Sequence, residues 1–267
     1  MSTLPNISID RAIFRTNEHL ALVGLAAEGI VFQHVAAISG RLLADSARQV
    51  CDVYSGIEEL ATAVPIAQWR EAYRQEGLKP SRFRSSIESL IRRVARGDSV
   101  SVSPLVDLYN AVSLKFRIPL GALDLALLPE ADIRFRYARP EADRFSPLGG
   151  EATDFPLSTN LPVYASGNEV LCWGFNSRDS RVTALRLETE SALFLTEVID
   201  PGERENAVEA MHFLAQLLEG GTKLLTIGLL DRDQPEWQPA AARERQSWRH
   251  EIEPSEARSL RGLRANC

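Results

Sequence analysis

The chain has 267 residues, 45% of them hydrophobic and 25% charged, and a formal net charge of −6. That is aliphatic content for one sizeable core, and the acidic balance excludes the overall basic footprint of a general nucleic-acid binder. Cys51, Cys172 and Cys267 lie far apart with no CxxC pair, which argues against a disulfide framework and a cysteine zinc site.

Residues 7–14 and 19–32 read as short strands, the second interrupted by Gly24 and Gly29. Val35, Ile38, Leu42, Leu43 and Val50 keep helical spacing and predict a helix over 34–54 that Gly56 ends. His34 opens it with no second ligand type at metal spacing, so no metal is expected there. Pro65 opens a helix through Trp69 and Tyr73 to Gly77. Ser85 and Glu88 read as a capping box, the serine oxygen taking a first-turn N–H and the glutamate reaching back to the cap. Ile87, Leu90, Ile91 and Val94 then form an apolar face, Gly97 stops the helix, and Arg92, Arg93 and Arg96 are left on the other side. Ser103 and Pro104 open the next helix as cap and first position. Its apolar stripe is Leu105, Leu108, Val112 and Phe116, while Asn110 and Ser113, three apart, share another face near Pro119 and Gly121.

Beyond these helices the period changes. Ile133, Phe135 and Tyr137 alternate with Arg134 and Arg136 as in a half-buried strand, and Gly149-Gly150 begins a run of turns up to Pro162. Strands are expected at 163–165 and 169–173, joined through Gly167, and an apolar strand at 192–199. A helix through Val208, Met211, Leu214, Ala215 and Leu218 leads to a strand at 223–230, a strand–helix–strand order that predicts parallel strands with a right-handed crossover. From Arg232 onward charges and prolines predict a polar tail, 232–267, partly disordered, in which Trp237 and Trp248 alone are suited to dock back. The expected fold is α/β (mixed α+β), a mixed sheet flanked by helices in one main domain over 1–231. The N-terminus lacks a basic start and apolar core, and no apolar run is long enough to span a bilayer, so a cytoplasmic protein is expected. A monomer is the default.

Two features stand out chemically. Between Trp69 and Gly97 eight Lys or Arg residues face three Glu, which is either a phosphate contact or a solvated face. Asn176, Arg178, Asp179, Ser180 and Thr183 crowd polar groups just after an apolar strand, where loops carry binding residues. The GxSxG, HExxH and P-loop signatures are absent.

The order PSxFRxSIExLxRRVxxG, SPLVDLYNAVSLKxxxPxGAxDL, LGG and CxxxNxRDSxxTALxxET, spanning roughly Trp69 to Glu197, resembles the B3/4 editing domain of the bacterial phenylalanyl-tRNA synthetase β-subunit, in its freestanding form. The resemblance implies that fold and hydrolysis of a mischarged tRNA, with aminoacylated tRNA as partner and no cofactor or metal. Carried onto this chain, the catalytic candidates are Asp179, Asn176, Asn110 and Gly121. Substrate contacts fall to Arg178, Ser180, Thr183, Ser113 and Glu88, and tRNA contacts to Arg84, Arg92 and Arg93. In these roles backbone N–H groups near Gly121 polarise the ester carbonyl, Asn110 or Asn176 holds the water or amino acid, and Asp179 reads the α-ammonium. Two departures matter. Gly121 stands where the synthetase turn PxHAFD has its histidine, and Arg178, followed by Asp179 and Ser180, stands where GGEHSG has its glutamate. The expected function is a trans-acting aminoacyl-tRNA deacylase. The alternatives are a non-catalytic module binding aminoacyl-tRNA or a free amino acid, and a hydrolase of small esters or amides.

Overall fold

The computed structural model describes residues 4–54 and 59–239. In chain order these form β1 (Asn6–Ile9), β2 (Ala21–Glu28), α1 (Phe32–Val53), α2 (Ile66–Gln75), α3 (Ser86–Ala95), α4 (Pro104–Phe116), β3 (Gly121–Asp124), β4 (Asp132–Tyr137), β5 (Arg144–Phe145), β6 (Pro162–Ser166), β7 (Glu169–Trp173), β8 (Arg178–Asp179), β9 (Ser191–Val198), α5 (Arg204–Glu219), β10 (Leu224–Leu230) and β11 (Glu236–Trp237). The strands make two sheets: β11-β1-β4-β6-β7-β5 with β8 also on β7, and β10-β2-β9-β3.

β2 is buried on both faces, which is why ALVGLAAE shows no alternation. Ala21, Val23 and Leu25 face the helices with Phe194, Leu108, Met211 and Leu214. Leu22 and Ala26, with Leu193 and Leu195, face the larger sheet through Ile7, Ile133, Phe135 and Tyr164. The result is helices, small sheet and large sheet in three layers. The apolar face of α3 packs separately against Leu43, Val50, Ala111 and Leu114. Among the described residues no helix is long and apolar enough to cross a membrane.

The mixed α/β class stands, with several local corrections. β1 stops at Ile9 because the Asp10 carboxylate accepts the Ala12 N–H at 2.9 Å and starts a turn into the 3-10 helix Ile13–Arg15. β2 runs through Gly24 and ends before Gly29, whose φ of +70° is left-handed. α1 begins at Phe32; the stop expected at Gly56 lies outside the described residues. β9 and β10 do run in the same direction, but β2 lies between them, antiparallel to both. Arg136, expected to point outward, is buried as a fork on Asp143, with N···O distances of 2.7 and 2.8 Å. Ser103 makes no side-chain cap bond; the Asp107 carboxylate takes the Val102 N–H at 2.7 Å instead. Part of the expected polar tail is packed on the core: β11 pairs antiparallel with β1, and Gln238 donates to the Leu4 carbonyl at 2.8 Å. Trp248 lies outside the described residues.

Candidate active site

Along β9 the two-residue period that points Leu193 and Leu195 between the sheets also points Glu197 there. Glu197 is 4% exposed. It borders a cavity of about 30 Å³ closed by Gly121, Ala122 and Leu123 of β3, Tyr164 of β6, Cys172 of β7 and Asp179 of β8. Asn176 and Ser86, the first residue of α3, complete one wall.

The Glu197 carboxylate is held at both oxygens. The Tyr164 hydroxyl donates to Oε1 at 2.8 Å, and the Asn176 Nδ2 donates to Oε2 at 2.8 Å. The Asn176 Oδ1 in turn accepts the Ser86 N–H at 3.0 Å, so one amide ties the N-terminus of α3 to the buried acid. A tight turn aims Asn176. Gly174 and Phe175 both have left-handed φ, +61° and +56°. For Phe175 that conformation costs on the order of 1–2 kcal/mol, and the ring is fixed by edge contacts with Trp69 and Tyr73. The Tyr73 hydroxyl donates to the Gly174 carbonyl at 2.8 Å, pinning the turn to α2.

Among the residues lining this cavity there is no lysine, arginine or histidine. Burial therefore pushes the Glu197 pKa up to about 7; the hydrogen bonds from Asn176 and Tyr164 oppose that shift and the nearby Asp179 charge adds to it. Asp179 is half-buried, and burial raises its pKa as well, against a hydrogen bond from the Cys172 thiol and the charge of Arg178. Burial holds the Cys172 thiol and the Tyr164 hydroxyl well above their ordinary values, so both stay protonated as donors.

The structure gathers Asn176, Asp179 and Gly121 at the cavity and leaves the other expected residues elsewhere. Arg178, next to Asp179 on β8, faces the opposite side, 5.2 Å above the Phe155 ring. The Ser113 hydroxyl donates to the Ile118 carbonyl at 2.6 Å at the end of α4, and Asn110 is not among the lining residues. Ser180 is taken by the Ser146 carbonyl and the Val182 N–H. Thr183 is buried away from the cavity lining, its carbonyl bound by the Asp124 N–H at 2.9 Å. Thr189, from the ET pair, donates to Asp124 at 2.8 Å.

Glu88 fulfils half of the capping box. Its N–H reaches Ser85 Oγ at 3.4 Å, but its side chain, instead of reaching back, receives Arg70 as a fork at 2.6 and 3.0 Å and Arg92 at 2.8 Å. Arg84 lies 3.6 Å from the same carboxylate. Arg93 donates to the Ser99 carbonyl. Much of the basic stretch is thus neutralised internally. Glu197 and Tyr164 did not emerge from the sequence as site residues. The available signal was a lone carboxylate in phase with the inward leucines of an apolar strand.

The model of the B3/4 domain matches residues 68–219. No curated protein matches the chain. Among solved structures, it is similar to an N-terminal fragment of the phenylalanyl-tRNA synthetase beta-subunit from Pyrococcus horikoshii, with 12% identity and a TM-score of 0.38. That similarity covers 85% of this chain and 52% of the other, so the chain spans about half the length of that fragment. The family match takes in more than half of the sequence, around the strands and helices that close the cavity: the chain belongs to the B3/4 domain family.

Proposed function

We propose that the chain is a trans-acting aminoacyl-tRNA deacylase whose general base is Glu197. One observation carries this: a buried carboxylate with a pKa near 7, oriented by two hydrogen bonds, beside a second carboxylate in a cavity with no cation. A base titrating near the working pH combines availability with proton affinity. A carboxylate has about four lone-pair sites, and Tyr164 and Asn176 use two, which leaves room for a water. Glu197 accepts a proton from that water as its oxygen bonds to the ester carbonyl carbon. The C–O bond to the ribose then breaks, and the proton passes to the ribose oxygen. The Ser86 hydroxyl, buried without a partner at the N-terminus of α3, is placed for the carbonyl oxygen, where the helix dipole favours negative charge. Asp179 faces the α-ammonium. Family membership and the resemblance to an editing domain support tRNA as the carrier of the ester; a cavity of about 30 Å³ holds roughly two waters and must widen to admit an acyl group, least for a small one.

The test is a deacylation screen over tRNAs charged with small, aliphatic and aromatic amino acids. Hydrolysis above the spontaneous rate is expected for some small-side-chain esters. The binding-module reading is favoured by the glycine at position 121 and the lack of any imidazole at the cavity. Tight binding of aminoacylated RNA without turnover would select it.

A further inference from the structure

The opposite side of β8 opens onto a larger groove, of about 490 Å³, walled by Arg82, Arg84, Arg178, Phe83 and Phe155, with Asp154 as its only acidic residue among those described. Its aromatic floor is rigid: Phe83 and Phe155 both pack on the buried Trp173, with ring centroids 4.5 and 5.6 Å away. Arg82 lies 5.1 Å over the Phe83 ring, and Arg178 covers Phe155. Each of these two guanidinium groups gives one 3.3 Å hydrogen bond to a carbonyl, Arg82 to Asp154 and Arg178 to Leu148. Five donors per group leave most of them for a ligand.

Groove and inner cavity are lined by residues that are neighbours in sequence. On one side of the junction Ser177 and Arg178 line the groove while Asn176 and Asp179 line the cavity. On the other, Arg84 and Ser89 line the groove while Ser86 lines the cavity. A ligand filling both would place its anionic, planar part on arginines and phenylalanines and its ammonium-bearing part among carboxylates. The joint would lie at the N-terminus of α3.

We propose that this groove binds the single-stranded 3′-terminal nucleotides of the RNA whose acyl group enters the inner cavity. Phosphates meet Arg82 and Arg178, and a base stacks on the Phe155–Arg178 pair, as single-stranded nucleic acids stack on aromatic and guanidinium planes. This rests on the deacylase reading for the identity of the acyl group, but the groove chemistry stands on its own residues. It also moves the RNA contact from Arg92 and Arg93 to residues on the far side of β8.

The experiment is fluorescence anisotropy, across a salt series, of an acceptor-stem minihelix with a 3′ single strand carrying an amide-linked alanine. Arg178→Ala with Arg82→Ala is expected to weaken binding at least tenfold and to flatten the salt slope by about one to two, since each lost phosphate contact removes roughly 0.7 from it. Arg178→Lys, which keeps charge but not the stacked plane, should give an intermediate loss. The same double substitution should not change the affinity for a blunt duplex lacking the single strand. Unchanged affinity and slope in the double variant overturn the proposal, as does an equal loss on the blunt duplex. Displacement of the minihelix by AMP at equal concentration would assign the groove to a free nucleotide and also overturn it. If the parent deacylates while groove variants bind normally, the groove fails and the deacylase stands. If binding collapses as expected but no ester turns over, the reverse holds.

Discussion

At the scale of residues, the informative side chain is one whose neighbours in sequence disguise it. In the run SALFLTEV the apolar residues decide the strand, and Glu197 passes as one polar position within it. Only the register against β2, Leu22 opposite Glu197, shows that the carboxylate is inside. Its chemistry gives a prediction with a definite sign. If Glu197 must be ionised to accept a proton, the rate of deacylation rises as pH passes through about 7 and levels above it. Glu197→Gln is expected to lower the rate roughly 10²–10⁴-fold and remove that inflection, leaving only the slope of spontaneous ester hydrolysis. The glutamine can keep its oxygen on the Asn176 Nδ2 and turn its N–H groups to the Tyr164 hydroxyl, which accepts as well as donates, so the substitution removes the base while Asn176 keeps the Ser86 N–H. Rates measured from pH 5.5 to 8.5 for both proteins check this; an inflection surviving in the variant would remove Glu197 from the role of base.

At the scale of elements, β8 shows why a polar cluster in sequence did not translate into one site. Two residues paired with β7 are enough to impose alternation, so Arg178 and Asp179 serve opposite faces. β11 shows the reverse case, a functional-looking absence that is structural. Charges and prolines argue against keeping residues 232–239 and only the indole of Trp237 argues for it; Trp237 does enter between the sheets, where Gly24 of β2 and Gly228 of β10 stand opposite each other. A β-carbon at Gly24 would come within 2.5 Å of the indole, and one at Gly228 would overlap it. The glycines form a slot for that ring, and the Ile9 N–H donates to the Pro235 carbonyl at 2.8 Å beside it. Trp237 is half-buried, so Trp237→Ala is expected to cost about 2 kcal/mol, below the ~3–5 kcal/mol of a fully buried case. That corresponds to a fall of roughly 4–8 °C in Tm, and truncation after Asp231 should cost at least as much. An unchanged melting curve for the truncated chain would show that β11 is peripheral.

At the scale of the whole molecule, what was legible followed local period and what was hidden followed tertiary contact. The α3 stripe of Ile87, Leu90, Ile91 and Val94 was readable because one helix face is buried. The division into two sheets was not, because β2 and β9 are buried on both faces and carry no alternation to say which sheet they join. Asn176, Asp179 and Gly121 were legible through motif order, whereas Glu197 and Tyr164 needed the sheets to be stacked. Stacking also sets how the fold responds to pH. Glu76, Asp179 and Glu197 all have raised pKa values, with burial as the first cause of each. A raised carboxyl contributes stability in full below its unfolded pKa and loses it as pH rises through the folded one. For Glu197 that window runs from 4.5 to about 7, a loss on the order of 3 kcal/mol. Asp143 and Asp231 act oppositely: burial would raise them, but hydrogen bonds, from Arg136 to Asp143 and from the Gln234 and Asp233 N–H groups to Asp231, lower them. Their contribution is present above the ordinary carboxylate range and fades in acid. His212, lowered by burial, loses its contribution as pH falls below its ordinary 6.5, and it is the group that works against Glu197 near neutrality. Being only half-buried, it should not reverse the trend. The urea midpoint is therefore expected to be higher at pH 5.5 than at pH 8, and Glu197→Gln should shrink that difference. A midpoint that instead rises steadily to pH 8 would mean Glu197 is not the dominant buried acid. The burial that tunes a base to neutral pH is the same burial that weakens the fold there, so ionisation of Glu197 should increase activity and decrease stability over one pH interval.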